Sequence, residues 1–218
     1  MRVYHFVSTD HALSNIALQR IKIATFDDMN DPFELRGVNL KSAENRKGWD
    51  GFRNEIARRY GVICFSKVWS DPVLWSHYAD RHRGLCLGFD VDDDLAVEVQ
   101  YRATRFPQRR LADAVVSDAL GEALVIDVIR TKYDRWAYEQ EIRILCRLEE
   151  SEPSGLFFAP IGEHLKLTEV IIGAASECAR STIRGALGNT YRDVEISNTR
   201  LAFNGYYIVK QRDRKQWR

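Results

Sequence analysis

The segment Trp136–Leu145, WAYEQEIRIL, carries two carboxylates one residue apart, Glu139 and Glu141, with Arg143 two places further on. Side chains at i and i+2 of a strand share a face. A strand here lines Glu139, Glu141 and Arg143 along one side and Ile142 and Ile144 along the other. Two readings stay open. The row is a solvated face whose Glu–Arg pair weighs little energetically, or it is a set of carboxylates aimed into a site. Carboxylates ranged along a strand edge suit chemistry at a sugar carbon, where they hydrogen-bond a ribose hydroxyl and steady a developing positive charge.

Other groups offer a partner to such chemistry. His5, in YHF, points away from the face shared by Tyr4 and Phe6; it is a histidine satisfied in the core or at an edge, or a ribose-binding imidazole. In WSHYADRH, Trp75, Tyr78 and Ala79 recur at helical spacing, as a core stripe does. His77 and Tyr78 could instead project into a cleft, where a tyrosine face stacks on a flat ring and its hydroxyl donates. Metal chemistry is not expected. His77 and His82 stand about 140° apart around a regular helix, so they cannot chelate one zinc ion. His11 and His164 have no ligand-like neighbours, and DVDDD (Asp90–Asp94) lacks the glycine and terminal glutamate of a calcium loop. Rossmann, P-loop and nucleophile-elbow motifs are absent.

The elements that must position these residues follow from patterning. RVYHFV reads as a strand, with Thr9 or Asp10 capping a helix whose buried face holds Leu13, Ile16 and Ala17. IKIAT is a strand and FDDMNDPFELRG a turn, in which Asp31 precedes Pro32 and leaves helical angles. SAENRKGWDGFRNEIARRY reads as a polar helix interrupted by Gly48 and Gly51. GVICFS is a buried strand. SDPVLWSHYADRH is a helix with Asp71 as cap and Pro72 in its first turn. GLCLGFDV and AVEVQY are strands. RRLADAVVSDALGEALVIDVIRTKY reads as the longest helix, with Leu111, Val115, Ala119 and Val116, Leu120, Leu124, Val128 forming its stripe. EIRILCRL alternates with one face in the core. GLFFAP, EVIIG, DVEIS and GYYIV are later strands, with a helix from Ser176 to Gly188 among them. Strands and helices do not alternate strictly. The expected class is therefore α+β, a mixed or antiparallel sheet with flanking helices. With no linker or repeat, residues 1–209 read as one domain and 210–218 as a basic tail.

Bulk properties bound the function. The 218 residues are 45% hydrophobic, enough for a sizeable core. A net charge of +1 gives no global argument for nucleic acid or an anionic membrane. The local exception is KQRDRKQWR, with five basic residues and one acid between Lys210 and Arg218; it is a frayed terminus or a phosphate contact. Cys64, Cys86, Cys146 and Cys178 form no CxxC pair and sit among apolar or small residues, as reduced thiols of a cytoplasmic protein do. No signal peptide or membrane-length apolar run is present.

Four stretches stand together: YHF, NDPFE, CFSKVWSDPVLWSHYADRHRGLCLGFD and WAYEQEIRI. In this order, over roughly residues 3–147, the chain resembles the bacterial domain-of-unknown-function family 2971. The opening YHFVSTDHALSNIALQRIKIA, the CFS strand and YEQEIRIL are also similar to ADP-ribosyltransferase-like enzymes, including DNA-targeting toxins. That likeness implies an ADP-ribosyltransferase-like fold and NAD as substrate, with transfer of ADP-ribose or hydrolysis of NAD, in a toxin or phage-defence setting. It implies Glu141 as the catalytic residue and Glu139 as the group that orients the acceptor. His5 holds a ribose, Trp75 or Tyr78 stacks on nicotinamide with His77 beside it, and Ser66 supports Glu141. The order His5-Phe6-Val7-Ser8-Thr9 departs from that superfamily's pattern. Asn30 and Glu34 contact a base or target, or cap a turn. The implied partners are NAD or another nucleotide and a nucleic-acid or protein target, with no membrane.

Two other classes remain. One is a non-catalytic nucleotide- or nucleic-acid-binding module, marked by a Glu141 locked onto Arg143 or Arg147. The other is a metal-dependent nuclease using Asp31, Glu139 and Glu141, although EQE lacks the lysine usual beyond the acid.

Overall fold

The computed structural model describes residues 1–106 and 125–217. The stripe expected through Leu111, Val115, Val116, Ala119, Leu120 and Leu124 lies outside the described residues. The described chain is mixed α and β, with mostly antiparallel strands and several helices, as the patterning implies. It divides into two compact units: Met1–Lys22, Phe65–Ala96 and Phe158–Arg218 form the first, and Ile23–Cys64 with Val97–Phe157 the second. No helix among the described residues is long and apolar enough to cross a membrane.

In the first unit, strands β1 (Arg2–Val7), β4 (Leu85–Val91), β10 (Leu165–Ile172), β11 (Glu195–Leu201) and β12 (Ile208–Lys210) lie side by side in that order. All neighbours are antiparallel except the β10–β11 pair. β4 is apolar on both faces and buried except at Asp90, as a central strand covered on both sides should be. Helix α1 (Thr9–Ala17) packs on the later helix α4 (Arg180–Leu187). The N-cap of α1 is Ser8 rather than Thr9 or Asp10, and its buried residues are Ala12, Asn15 and Ile16. Leu13 is half-buried and Ala17 exposed, so the buried stripe sits one residue earlier than the apolar pattern implies. α4 begins at Arg180, not Ser176; the Ser176 hydroxyl accepts from Cys178 N in the turn before it. Gly188 ends α4 with φ 56°, a conformation open to glycine.

Helix α3 (Pro72–Tyr78) is capped as its sequence predicts, Asp71 accepting from Val73 N at 2.7 Å. It stops sooner than expected. Asp80, Arg81 and His82 all take left-handed angles, φ 43°, 54° and 68°. Gly84 N donates to Ala79 O at 2.8 Å and Ala175 N to His82 O at 3.0 Å, which hold the turn. Single left-handed residues are uncommon outside glycine, so three in succession require this bracing.

The second unit holds the end of β2 (Arg20–Thr25) and β3 (Tyr60–Ser66) as far as Cys64, paired at Ala24–Val62 and Thr25–Gly61. β5 (Val97–Glu98) pairs with β8 (Glu141–Arg147), and β6 (Gln100–Arg102) runs parallel to β7 (Thr131–Tyr133). β9 is Phe157–Pro160, of which Phe157 alone belongs to this unit. Helix α2 runs unbroken from Ala43 to Arg59, which corrects the expected interruption at Gly48 and Gly51. A mid-helix glycine costs about 1 kcal/mol. Packing overrides that cost: Trp49 and Ile56 are buried with Phe26, Leu35, Val38 and Phe106, and the Trp49 indole donates to Leu35 O at 2.8 Å.

Candidate functional site

The strand carrying Glu141 begins at that residue, and Glu139 is not on it. Glu139 ends a 3-10 turn over Asp134–Glu139, and Gln140 follows with φ 43°. This one left-handed residue reverses the chain, so both acids meet one ammonium. Lys132 Nζ donates to Glu139 at 2.5 Å and to Glu141 at 3.0 Å. Lys132 sits on β7, beside Tyr101 of β6; the segment TKY is strand, not the helix end its sequence suggests. Tyr101's hydroxyl accepts from Glu141 N at 2.8 Å and fixes where β8 starts.

The expected solvated face of β8 is buried. Arg143 is fully buried, and Glu139 and Glu141 are 5% and 4% exposed. The guanidinium spends every arm: Nε and one terminal nitrogen reach Glu141 at 2.8 and 3.1 Å, both terminal nitrogens reach Glu34 at 2.6 and 2.9 Å, and one also donates to Ile129 O at 2.6 Å. Arginine's planar fork suits such paired carboxylates.

Glu34 arrives there by local chemistry in NDPFEL. Asp31 Oδ1 accepts from Phe33 N at 2.9 Å, an Asx turn, and Glu34 N donates back to Asp31 O at 3.1 Å. Leu35 then adopts φ 56° while fully buried. Such an angle costs a bulky residue about 1–3 kcal/mol. The apolar surroundings of Leu35 and the Trp49 bond to its carbonyl hold it.

Three carboxylates and two cations thus form one closed network, with Lys132 also 3.9 Å from Glu34. Burial pushes the Glu141 carboxyl up, but the charges of Arg143 and Lys132 outweigh it and hold the group at about 2. Burial pulls Lys132 down, and the carboxylates of Glu141, Glu139 and Glu34 more than reverse this, raising it. Burial, then the negative charge of Glu141, pushes the Cys64 thiol up, so it stands beside the carboxylate as a neutral donor. Tyr101 is raised to about 12, chiefly by burial.

The structure brings Glu139, Glu141 and Arg143 together, and adds Glu34 and Lys132. Asn30 lies in the same unit and is exposed. His5, Ser66, Trp75, His77 and Tyr78 belong to the first unit. There, register separates them. His5 is opposite Leu87 and its ring meets the edge of Phe65 at 5.8 Å. Ser66 is opposite Tyr4, so it shares the other face; its hydroxyl accepts from Val68 N at 3.1 Å. Trp75 is fully buried edge-on to Phe6 at 5.2 Å, and its indole donates to Trp69 O at 2.6 Å. His77 is exposed and Tyr78 half-buried. Asp31 is committed to its turn, and Glu139 and Glu141 to cations. Among the described residues, no group of three or more His, Cys, Asp and Glu side chains could hold a metal ion.

The first unit has a second feature. A groove of about 1030 Å³ opens along β11, β12 and the residues after them. Arg200, Lys210, Arg212, Phe203, Tyr207 and Trp217 help line it. The basic tail is folded back: Gln211 N donates to Asn198 O at 2.7 Å, and the Trp217 indole donates to Gln211 O at 2.9 Å beneath Arg180, 4.2 Å from its ring. At the hairpin tip Phe203 is 91% exposed and Tyr206 fully exposed. Lys210 reaches buried Glu169 and, at 3.1 Å, exposed Glu195.

No curated protein and no solved structure matches the chain significantly. A family model matches residues 74–144. That span takes in WSHYADRH, GLCLGFD and WAYEQEIRI, with Lys132, Glu139, Glu141 and Arg143, and leaves out YHF and NDPFE. Over it the chain is similar to the family described as Protein of unknown function (DUF2971).

Proposed function

We propose that the chain is a binding module that recognises a nucleotide or nucleic acid without transforming it. One observation carries this reading: Glu141 is buried, and both its oxygens are engaged by Arg143 and Lys132. A carboxylate acting on a ribose must reach a hydroxyl within about 2.6–3.2 Å. The ligand class is supported by the arginines and aromatic rings along the groove of the first unit.

A second reading keeps specific support. Glu139 and Glu141 converge on one ammonium, and Glu141 stays ionised, as a carboxylate that stabilises positive charge on a sugar must. This supports an ADP-ribosyltransferase-like enzyme, of toxin or phage-defence type, that takes NAD as substrate. Glu141 would act at the ribose and Glu139 on the acceptor, with Arg143 holding Glu141 in place.

Nicotinamide release from NAD, followed by chromatography for wild type and Glu141→Gln, separates the two. The binding-module reading expects no release from either protein. The transferase reading expects release by wild type and a loss of about 10²-fold or more in the variant.

A further inference from the structure

The hairpin between β11 and β12 displays what most folded surfaces hide. Phe203 is 91% exposed and Tyr206 fully exposed, and Tyr207, 42% exposed, donates its hydroxyl to Asn204 at 2.8 Å. Arg200 lies 4.2 Å over the Phe203 ring. Phe203 and Tyr207 line the groove of about 1030 Å³, with Tyr206 between them in the hairpin, and the lining carries Arg200, Lys210 and Arg212 against one carboxylate, Glu195. The groove's volume lies at the upper end of the range of small-ligand pockets, about 300–1,000 Å³.

We infer that this groove binds a single-stranded nucleic acid, with bases stacked on Phe203 and Tyr206 and the backbone phosphates drawn by Arg200, Lys210 and Arg212. The inference deepens the binding-module reading, on which it rests for its ligand class. Two physical features select the strand. An exposed ring offers a face to any unpaired base, which a duplex keeps stacked inside. The cations come from three places, Arg200 from β11, Lys210 from β12 and Arg212 from the residues after it, and three of them suit a chain of phosphates better than a single one. Lys210 is steadied by Glu169 and Glu195, and Arg200 gives one terminal nitrogen to Leu201 O at 2.9 Å, so Arg212 and the other arm of Arg200 are the principal phosphate contacts. Trp217 also lines the groove, with Arg180 4.2 Å over its ring.

The test is fluorescence anisotropy with a labelled oligothymidine, an oligouridine and a duplex of equal length, across a salt series. The expected result is binding of both single strands, with the duplex at least tenfold weaker. Phe203→Ala/Tyr206→Ala alters only exposed side chains and is expected to lose about tenfold or more in affinity. Arg200→Ala/Arg212→Ala is expected to lower the salt slope by about 0.7 per phosphate contact removed. Absence of single-strand binding at low salt overturns the inference. So does equal binding of duplex and single strand that survives loss of both rings. Self-association abolished by the ring variant, without oligonucleotide binding, assigns the patch to a second copy and also overturns it. The reading beneath it fails by a different signal: nicotinamide release from NAD overturns the non-catalytic assignment whatever the anisotropy shows.

Discussion

The molecule handles charge in opposite ways in its two units. In the second, Glu34, Glu139, Glu141, Lys132 and Arg143 are all at most 5% exposed and satisfy one another. In the first, Lys210 and Glu195 are 40% and 63% exposed in their side chains, and only Glu169 of that cluster is buried. Water screens the open cluster and lets its members exchange partners. The closed one has no such relief. Removing one partner from a buried pair costs about 3–5 kcal/mol, because the survivor keeps its charge and loses its compensation, whereas an exposed pair contributes about 0–1 kcal/mol. Burial, more than the number of charges, therefore decides where substitution is tolerated.

The contrast is sharpest at Arg143. Arg143→Met would leave Glu34 and Glu141 buried without their guanidinium, and a stability loss of about 3–5 kcal/mol is expected in urea denaturation. A loss below about 1 kcal/mol would mean that water enters the network. Glu141→Gln keeps the shape and removes the charge, for an expected loss on the order of 2 kcal/mol. The same carboxylate sets an acid limit. Its folded value of about 2 lies below the ordinary 4.5, so its contribution is complete above 4.5 and fades as pH falls toward 2. Urea midpoints between pH 6 and pH 3 should therefore fall more steeply in wild type than in Glu141→Gln. Trp49→Phe removes the indole donor to Leu35 O and should cost about 1–3 kcal/mol, lost where the NDPFEL turn meets α2. At the open cluster, Glu195→Gln should stay within about 0.5 kcal/mol of wild type. A larger effect there would erase the comparison.

What the sequence discloses follows the same division. Strands β1, β3, β4 and β8 are legible because their apolar runs are local, and the Asp71–Pro72 start of α3 because capping is local. The two-faced burial of β8 is not legible, since Arg143 is satisfied inside in part by Glu34, which lies 109 residues away. Lys132 is hidden for a related reason: VIDVIRTKY continues a helical stripe in sequence, and only pairing with β6 turns TKY into strand. The unbroken α2 defeats glycine propensity through tertiary contacts of Trp49 and Ile56. The left-handed turn at Asp80–His82 has no residue signal, being imposed by carbonyls that accept from Gly84 and Ala175. The pairing of Glu139 with Glu141 is correctly suggested by their closeness in sequence, but for a reason that strand periodicity does not contain.

That reason is Gln140. With φ at 43°, a single pair of backbone dihedrals sets the gap between the acids. A β-branched side chain such as isoleucine at this position would favour the extended basin and swing Glu139 off the ammonium, while asparagine or glycine would keep the bend. The joint hold of one ammonium on two acids is thus hostage to a neutral residue that carries none of their charge.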